Sequence, residues 1–297
     1  MEKKVCCLVQ PEEEGMILKK FLKQRLGLSE KEISRAKFRE MGICVNGKRC
    51  KVQVPLRAGD WIEVLLETKE QVSAHLVPGE GPLSVLYEDT DVIVLDKPAG
   101  LVVHPAGAYY ADTLANRLTA YLRENGEDSV IRILGRLDKE TSGVVLAVKN
   151  RAAGTRLERQ REKGELVKTY LAVTEGIPSP LSGFIHTPIA ADPRRKGRMC
   201  VSPEGKAAVT RYEVLEQKNG KALVRLQLQT GRTHQIRVHM ASVGCPLQGD
   251  SLYGRGAERM ALHALRLRFR QPFTGEEIVV ETPEPDFVQG FFTGISY

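Results

Sequence analysis

Two alternating apolar runs, Ala207 to Leu215 and Ala222 to Gln229, flank Gln217-Lys218-Asn219-Gly220, and no other feature of the chain constrains its fold as strongly. Asn-Gly supplies the two positive-φ residues of a tight hairpin, so these runs are predicted to pair antiparallel. Gly143 to Val148 and Lys168 to Thr174 add strand-like stretches upstream, with helical patterns scattered between them. A doubly wound parallel sheet needs strands and helices in regular alternation. The expected class is therefore α+β: a mostly antiparallel mixed sheet with flanking helices, preceded by a small α/β module.

The run Leu134-Gly135-Arg136-Leu137-Asp138-Lys139-Glu140-Thr141-Ser142-Gly143 sets charged residues directly before a buried strand. Arg136 and Asp138, two apart in an extended segment, point the same way, which puts a carboxylate beside a cation at the mouth of the core. The competing reading makes Asp138 a turn residue before Thr141-Ser142-Gly143. From this run alone both stand.

A chain of 297 residues accommodates one sizeable core and a small module. Residues 67 to 82 read as a hinge, polar first and then dense in breakers at Pro78-Gly79-Glu80-Gly81-Pro82, which divides the chain into 1–75 and 83–297. In the first part, Ile17, Leu18, Phe21, Leu22 and Leu26 fall at helical spacing over residues 16 to 28. A second helix starts at Ser29, capped with Glu32 three residues on, and Ile33, Ala36 and Phe38 follow before Gly42. Ile43-Cys44-Val45, an Asn46-Gly47 turn and Trp61 to Val64 read as short strands and turns. Beyond the hinge, Leu83 to Leu95 gives two apolar pieces. A helix from Asp112 to Glu124 then buries Leu114, Leu118, Tyr121 and Leu122, with Asp112 as its cap.

Twelve basic residues against three acidic ones lie between residues 19 and 57 of a chain whose net charge is +7. Arg35, Lys37 and Arg39 belong to this excess, which is the footprint of a polyanion binder or else a solvated helix face. Hydrophobic content of 42% with 27% charged residues excludes a largely disordered chain, and no apolar run is long enough to span a bilayer. The N-terminal apolar stretch is too brief for a signal peptide, so a cytoplasmic protein is expected. Six cysteines contain no C-x-x-C pair and read as reduced. His234 and His239, five apart in a helix beginning near Thr233, do not share a face as a helical metal pair would, and no metal is expected.

Three ordered blocks carry a resemblance to the RluA-like RNA pseudouridine synthases: Asp96-Lys97-Pro98-Ala99-Gly100-Leu101-Val102-Val103-His104-Pro105, then Gly135 to Gly143, then Gly231-Arg232-Thr233-His234-Gln235-Ile236-Arg237-Val238-His239. Lys168-Thr169-Tyr170 and Leu262-His263-Ala264 stand where that family has them, so the resemblance spans residues 83 to 285. It implies that Asp138 is the catalytic carboxylate, paired with Arg232. It implies that Tyr170 packs on the flipped base and assists proton removal from C5, and that Leu262 closes the pocket, although a Leu there is equally a core residue. Arg136 is expected to hold the extruded nucleotide out, since a guanidinium both stacks and contacts phosphate. Lys168, His234 and Arg237 are expected to contact RNA, and Arg194 and Arg195, with Lys196 and Arg198, form a basic loop that either touches phosphate or is plain surface. Gly135 departs from the family's usual His. The helix, helix, strand and Asn-Gly turn of residues 1 to 75 resemble the S4-type RNA-binding module.

Isomerising uridine moves one bond from N1 to C5 with nothing entering or leaving, so the resemblance implies no cofactor. The chain likewise has no Walker loop and no G-x-G-x-x-G turn. The implied partner is RNA, with ribosomal RNA favoured and transfer RNA the other candidate, for a monomer with no obligate protein partner. The alternative is a non-catalytic RNA-binding or ribosome-assembly protein. An acid-dependent hydrolase using Asp89, Asp91 or Asp96 lacks the metal-binding context such chemistry needs.

Overall fold

The computed structural model describes residues 3–67, 76–106, 109–127, 131–256, 259–289 and 291, so residues 68–75 of the expected hinge lie outside the described residues. The chain divides into two units. One runs from the N-terminus to residue 74, with short pieces beginning at Gly126 and Asn150 grouped with it, and the other holds the rest.

The first unit contains β1 (Lys3–Leu8), α1 (Leu18–Gln24), α2 (Glu30–Lys37), β2 (Ile43–Val45), β3 (Lys48–Arg49) and β4 (Trp61–Glu67). Its antiparallel sheet has the order β1-β4-β2-β3. The capping box at Ser29 forms as read: Ser29 Oγ accepts from Glu32 N at 3.2 Å and Ser29 N donates to the Glu32 carboxylate at 2.8 Å. Asn46 and Gly47 both take positive φ in the β2–β3 hairpin. Leu18, Phe21, Leu22, Ile33 and Ala36 are buried, as the helical spacing predicts. Phe38 is not: α2 ends at Lys37, Phe38 is its C-cap, and the ring is 79% exposed.

The second unit contains β5 (Ser84–Glu88), β6 (Val92–Lys97), α3 (Leu114–Glu124), β7 (Arg132–Leu134), β8 (Ser142–Val148), α4 (Arg151–Glu162), β9 (Val167–Glu175), β10 (Ser182–Ile185), β11 (Ile189–Ala191), β12 (Met199–Val201), β13 (Thr210–Lys218), β14 (Lys221–Leu228), α5 (Gln235–Ser242), β15 (Leu262–Arg270), β16 (Glu277–Glu281) and α6 (Asp286–Gln289). Ten strands form one sheet in the order β10-β13-β14-β9-β15-β8-β6-β5, with β16 on β15 and β7 on β8. Among the described residues only the β8/β15 pair is parallel, so the α+β class with a mostly antiparallel mixed sheet holds. The β13/β14 hairpin turns at Asn219 and Gly220, both at positive φ.

Gly143 makes the parallel pair possible. Its φ is +106°, and a Cβ there would lie 2.1 Å from the Ala264 carbonyl oxygen. Thr113, not Asp112, caps α3, exchanging hydrogen bonds with Asn116 while Asp112 pairs with Arg117. Thr113 and Asn116 are fully buried, a place where a neutral hydroxyl costs less to desolvate than a carboxylate. Residues alternate across β9, with Tyr170 and Ala172 joining the main core and Leu171 and Val173 a smaller cluster on the other face. That alternation fixes the face on which the site is built.

Candidate active site

β7 ends at Leu134, and Gly135, at φ +76°, turns the chain into an extended segment. Leu137 is buried, Arg136 is exposed and the Asp138 side chain is partly buried. Thr141 N donates to the Asp138 carbonyl at 3.1 Å. The turn reading of Asp138 thus holds for its backbone, while its side chain stays partly buried.

The loop is clamped from below by Lys97, whose Nζ donates to the carbonyls of Pro98, Leu101 and Lys139 at 2.9, 2.8 and 3.1 Å. This ammonium is fully buried, and desolvation pushes its pKa down to about 8. Three carbonyls use its three donors, which makes the burial tolerable. Lys97 lies in the first sequence block, yet nothing local shows that its partner would be the backbone next to Asp138.

Arg237 is the cation at Asp138. From the first turn of α5 its Nη1 donates to Asp138 Oδ2 at 3.4 Å. Its Nε and Nη2 bind both oxygens of Asp250 at 2.7 Å each. Asp250 is fully buried and also accepts from the backbone N–H groups of Leu252 and Tyr253. Burial alone raises the Asp250 pKa, but the Arg237 guanidinium outweighs it and holds the carboxyl below its usual range. Burial likewise opposes the charge on Arg237, and the Asp250 and Asp138 carboxylates overcome it. Asp250 aligns the guanidinium and Arg237 presents its remaining edge to Asp138. A lone Asp after Gly249 reads as a turn residue, so Asp250 carries no signal in the sequence.

The expected Arg232–Asp138 pair does not form. α5 begins at Gln235, two residues later than read, and Arg232 remains in the loop before it. There its N donates to Gln235 Oε1 and its exposed guanidinium donates to the Ala207 carbonyl at 3.0 Å.

His234 precedes α5 in the left-handed region, φ 55°, with Nε2 3.9 Å from Asp138 Oδ2. Its Nδ1 lies 3.0 Å from the Tyr253 hydroxyl, whose oxygen already accepts from Met199 N. With that hydroxyl proton donated to Nδ1, the imidazole proton sits on Nε2, facing Asp138. Burial lowers the His234 pKa, against the pull of Asp138. His239 is structural, spanning Thr210 and the Thr187 carbonyl.

Tyr170 is buried on β9, and desolvation together with the Asp138 charge pushes its phenol upward. Leu262 begins β15 on the same face, paired one register step away through Ala172 and packed in the same core. Lys168 shares that face two residues before Tyr170. Its Nζ looks onto Gly135, where a Cβ would lie 4.0 Å away, and desolvation followed by the Arg161 charge lowers it to about 8. Arg136 has no carboxylate partner among the described residues.

Arg194 and Arg195 are exposed in the β11–β12 loop, where Arg194 N donates to the Asp192 carboxylate at 2.9 Å and Arg195 N to the Asp192 carbonyl at 3.3 Å. Arg198 of that loop and Arg237 both lie 5.2 Å from the Tyr253 ring. Arg35, Lys37 and Arg39 belong to the first unit. Arg35 and Lys37 are exposed on α2, whereas Arg39 turns inward to the carbonyls of Leu65 and Leu66, so it does not present a free guanidinium. All six cysteines are free thiols. Among the described residues no cluster of His, Cys, Asp or Glu is arranged to hold a metal, and no helix is long and apolar enough to cross a membrane.

A family profile described as RNA pseudouridylate synthase matches residues 91–242. An uncharacterized RNA pseudouridine synthase of Bacillus subtilis is 38% identical over 283 residues, covering 94% of this chain and 93% of the relative. Ribosomal large subunit pseudouridine synthase D of Escherichia coli O157:H7 is 36% identical, covering 89% and 87%. The solved structure of human RNA Pseudouridylate Synthase Domain Containing 1 superposes with a TM-score of 0.57 at 30% identity, covering 70% of this chain and 86% of that one.

Proposed function

Because the chain belongs to the RNA pseudouridylate synthase family, isomerases that act on RNA, we propose that it converts particular uridines of large-subunit ribosomal RNA to pseudouridine through the Asp138 carboxylate. Relatives named for the large ribosomal subunit support that choice of RNA. The observation that carries the role of Asp138 is its partly buried carboxylate, 3.4 Å from a guanidinium that buried Asp250 holds in place, beside Tyr170.

The reaction breaks N1–C1′, turns the uracil, joins C5 to C1′, releases the C5 proton and leaves a proton on N1. Asp138 serves either as a nucleophile toward sugar or base or as a base for a sugar proton; both roles use the ionised form, and the Arg237 charge opposes its own. Tyr170 stays a neutral phenol, so its part is to pack against the extruded base and to donate a hydrogen bond. Leu262 walls the same face. Arg136 is free to occupy the space the uridine vacates, while Lys168, His234, Arg194 and Arg195 meet the RNA around it.

Residues 1–75 act in this reading as an S4-like RNA-binding module, with Arg35 and Lys37 at its surface, and residues 83–297 as the catalytic domain. Its basic excess and its helix pair on a small antiparallel sheet support that role. The enzyme works as a monomer in the cytoplasm, where its six thiols stay reduced.

Asp138→Asn tests the assignment. Mapping pseudouridine in ribosomal RNA treated with each protein should find none from the variant, with RNA affinity retained. Modification at the wild-type level by the Asn variant would end the catalytic role of Asp138.

A further inference from the structure

We propose that Phe38 is a stacking platform for an unpaired RNA base, with Arg35 and Lys37 placed for the phosphates beside it. The inference deepens the RNA-binding role given to the first unit and rests on that reading. Phe38 is the most exposed large apolar side chain among the described residues, at 79%. It follows α2 directly, and the backbone on both sides of it is tied down. Arg49 Nη2 donates to the Lys37 carbonyl at 3.0 Å, and Arg39 reaches back to carbonyls of β4. The ring therefore stands on a fixed support instead of a loose loop, which lowers the ordering cost of binding.

Its surroundings select the partner. Lys37 Nζ lies 5.1 Å from the ring centroid, which covers part of one face and leaves the other open. Arg35 is three residues earlier, where helical neighbours meet, and neither Arg35 nor Lys37 has an ion-pair partner among the described residues. An aromatic face among unpaired cations suits a nucleic acid better than an apolar protein surface, which would have to desolvate those charges. A paired duplex has no free base face to offer. The occupant is a single-stranded segment, a loop or an end, and not a helix.

The test uses the full-length protein with two probes, an oligouridylate and a fully paired RNA duplex of equal length. Phe38→Ala should weaken oligouridylate binding about tenfold while duplex affinity stays unchanged, and Phe38→Trp should restore it. Lys37→Gln should weaken both and flatten the salt dependence. Unchanged oligouridylate affinity in the Ala variant, equal losses on both probes, or a change confined to self-association would each overturn the proposal. Because Phe38 is solvent-exposed, the Ala variant threatens no core contact; circular dichroism checks that it folds. Absence of pseudouridine formation by the wild-type protein, with the Phe38 discrimination intact, would fault the catalytic reading and leave the stacking site standing.

Discussion

Arg237 stands 3.4 Å from the Asp138 carboxylate across ninety-nine residues of chain, and it does so with two of its three nitrogens already committed to Asp250. A guanidinium held in a bidentate fork cannot swing away from its third partner. The orientation of the Asp138 charge partner is thus set by a buried acid that itself lies behind the site.

Arg237→Gln should lower kcat by about a hundredfold or more, since removing a preorganised charge partner costs roughly 2.7–4 kcal/mol of barrier. Arg232→Gln should keep most of the activity, because that side chain bonds the Ala207 carbonyl at the surface. Single-turnover pseudouridine formation on saturating RNA reads both. Equal loss in the two variants would mean that Arg232 swings toward Asp138 when RNA binds.

Lys168 is lowered to about 8 in the free protein, by desolvation first and the Arg161 charge second. A phosphate against its Nζ favours the ammonium, so the bound state holds the proton more tightly than the free one. RNA affinity should therefore be highest below pH 8 and fall as pH rises through 8. The groups around it are Gly135 on the loop, Tyr170 on its own strand, Leu267 opposite on β15, and Arg161 of α4. Lys168→Arg should flatten the profile, because a guanidinium keeps its charge. Binding titrations between pH 7 and about 9.5 would show it, and an identical slope in the Arg variant would assign the pH dependence elsewhere.

Gly143→Ala should destabilise the fold by roughly 3 kcal/mol or more, combining a positive-φ penalty with a backbone clash. The clashing atoms are the carbonyl group of Ala264, part of the strand pair that brackets the site, and no flexible side chain can yield there. Denaturant unfolding measures the loss. A variant within about 1 kcal/mol of wild type would show that β8 and β15 can separate locally.

The elements legible in the chain are those whose cause is local. Ser29 and Glu32 close a capping box within one turn, Asn219-Gly220 adopts the φ values a hairpin needs, and the apolar run of β8 is buried at every position. Other elements hide because their periodicity is thin. α4 buries Ala152, Ala153 and Leu157 in an otherwise charged sequence, and Lys3–Leu8 is half exposed along its length, so neither stands out from its composition. Asp112 and Thr113 are both good caps, and only the burial of that position favours the hydroxyl.

Sequence alone determined the class of the sheet, the position of the hairpins and the loop that presents Asp138, because turn chemistry and strand alternation act over a few residues. Tertiary structure decided which cation faces that carboxylate, that Asp250 and Lys97 stand behind it, and that Phe38 points outward and Arg39 inward. Those outcomes depend on where a helix starts and which way it projects after distant strands have paired, and a shift of two residues at the start of α5 leaves Arg232 in a loop and turns Arg237 to the site.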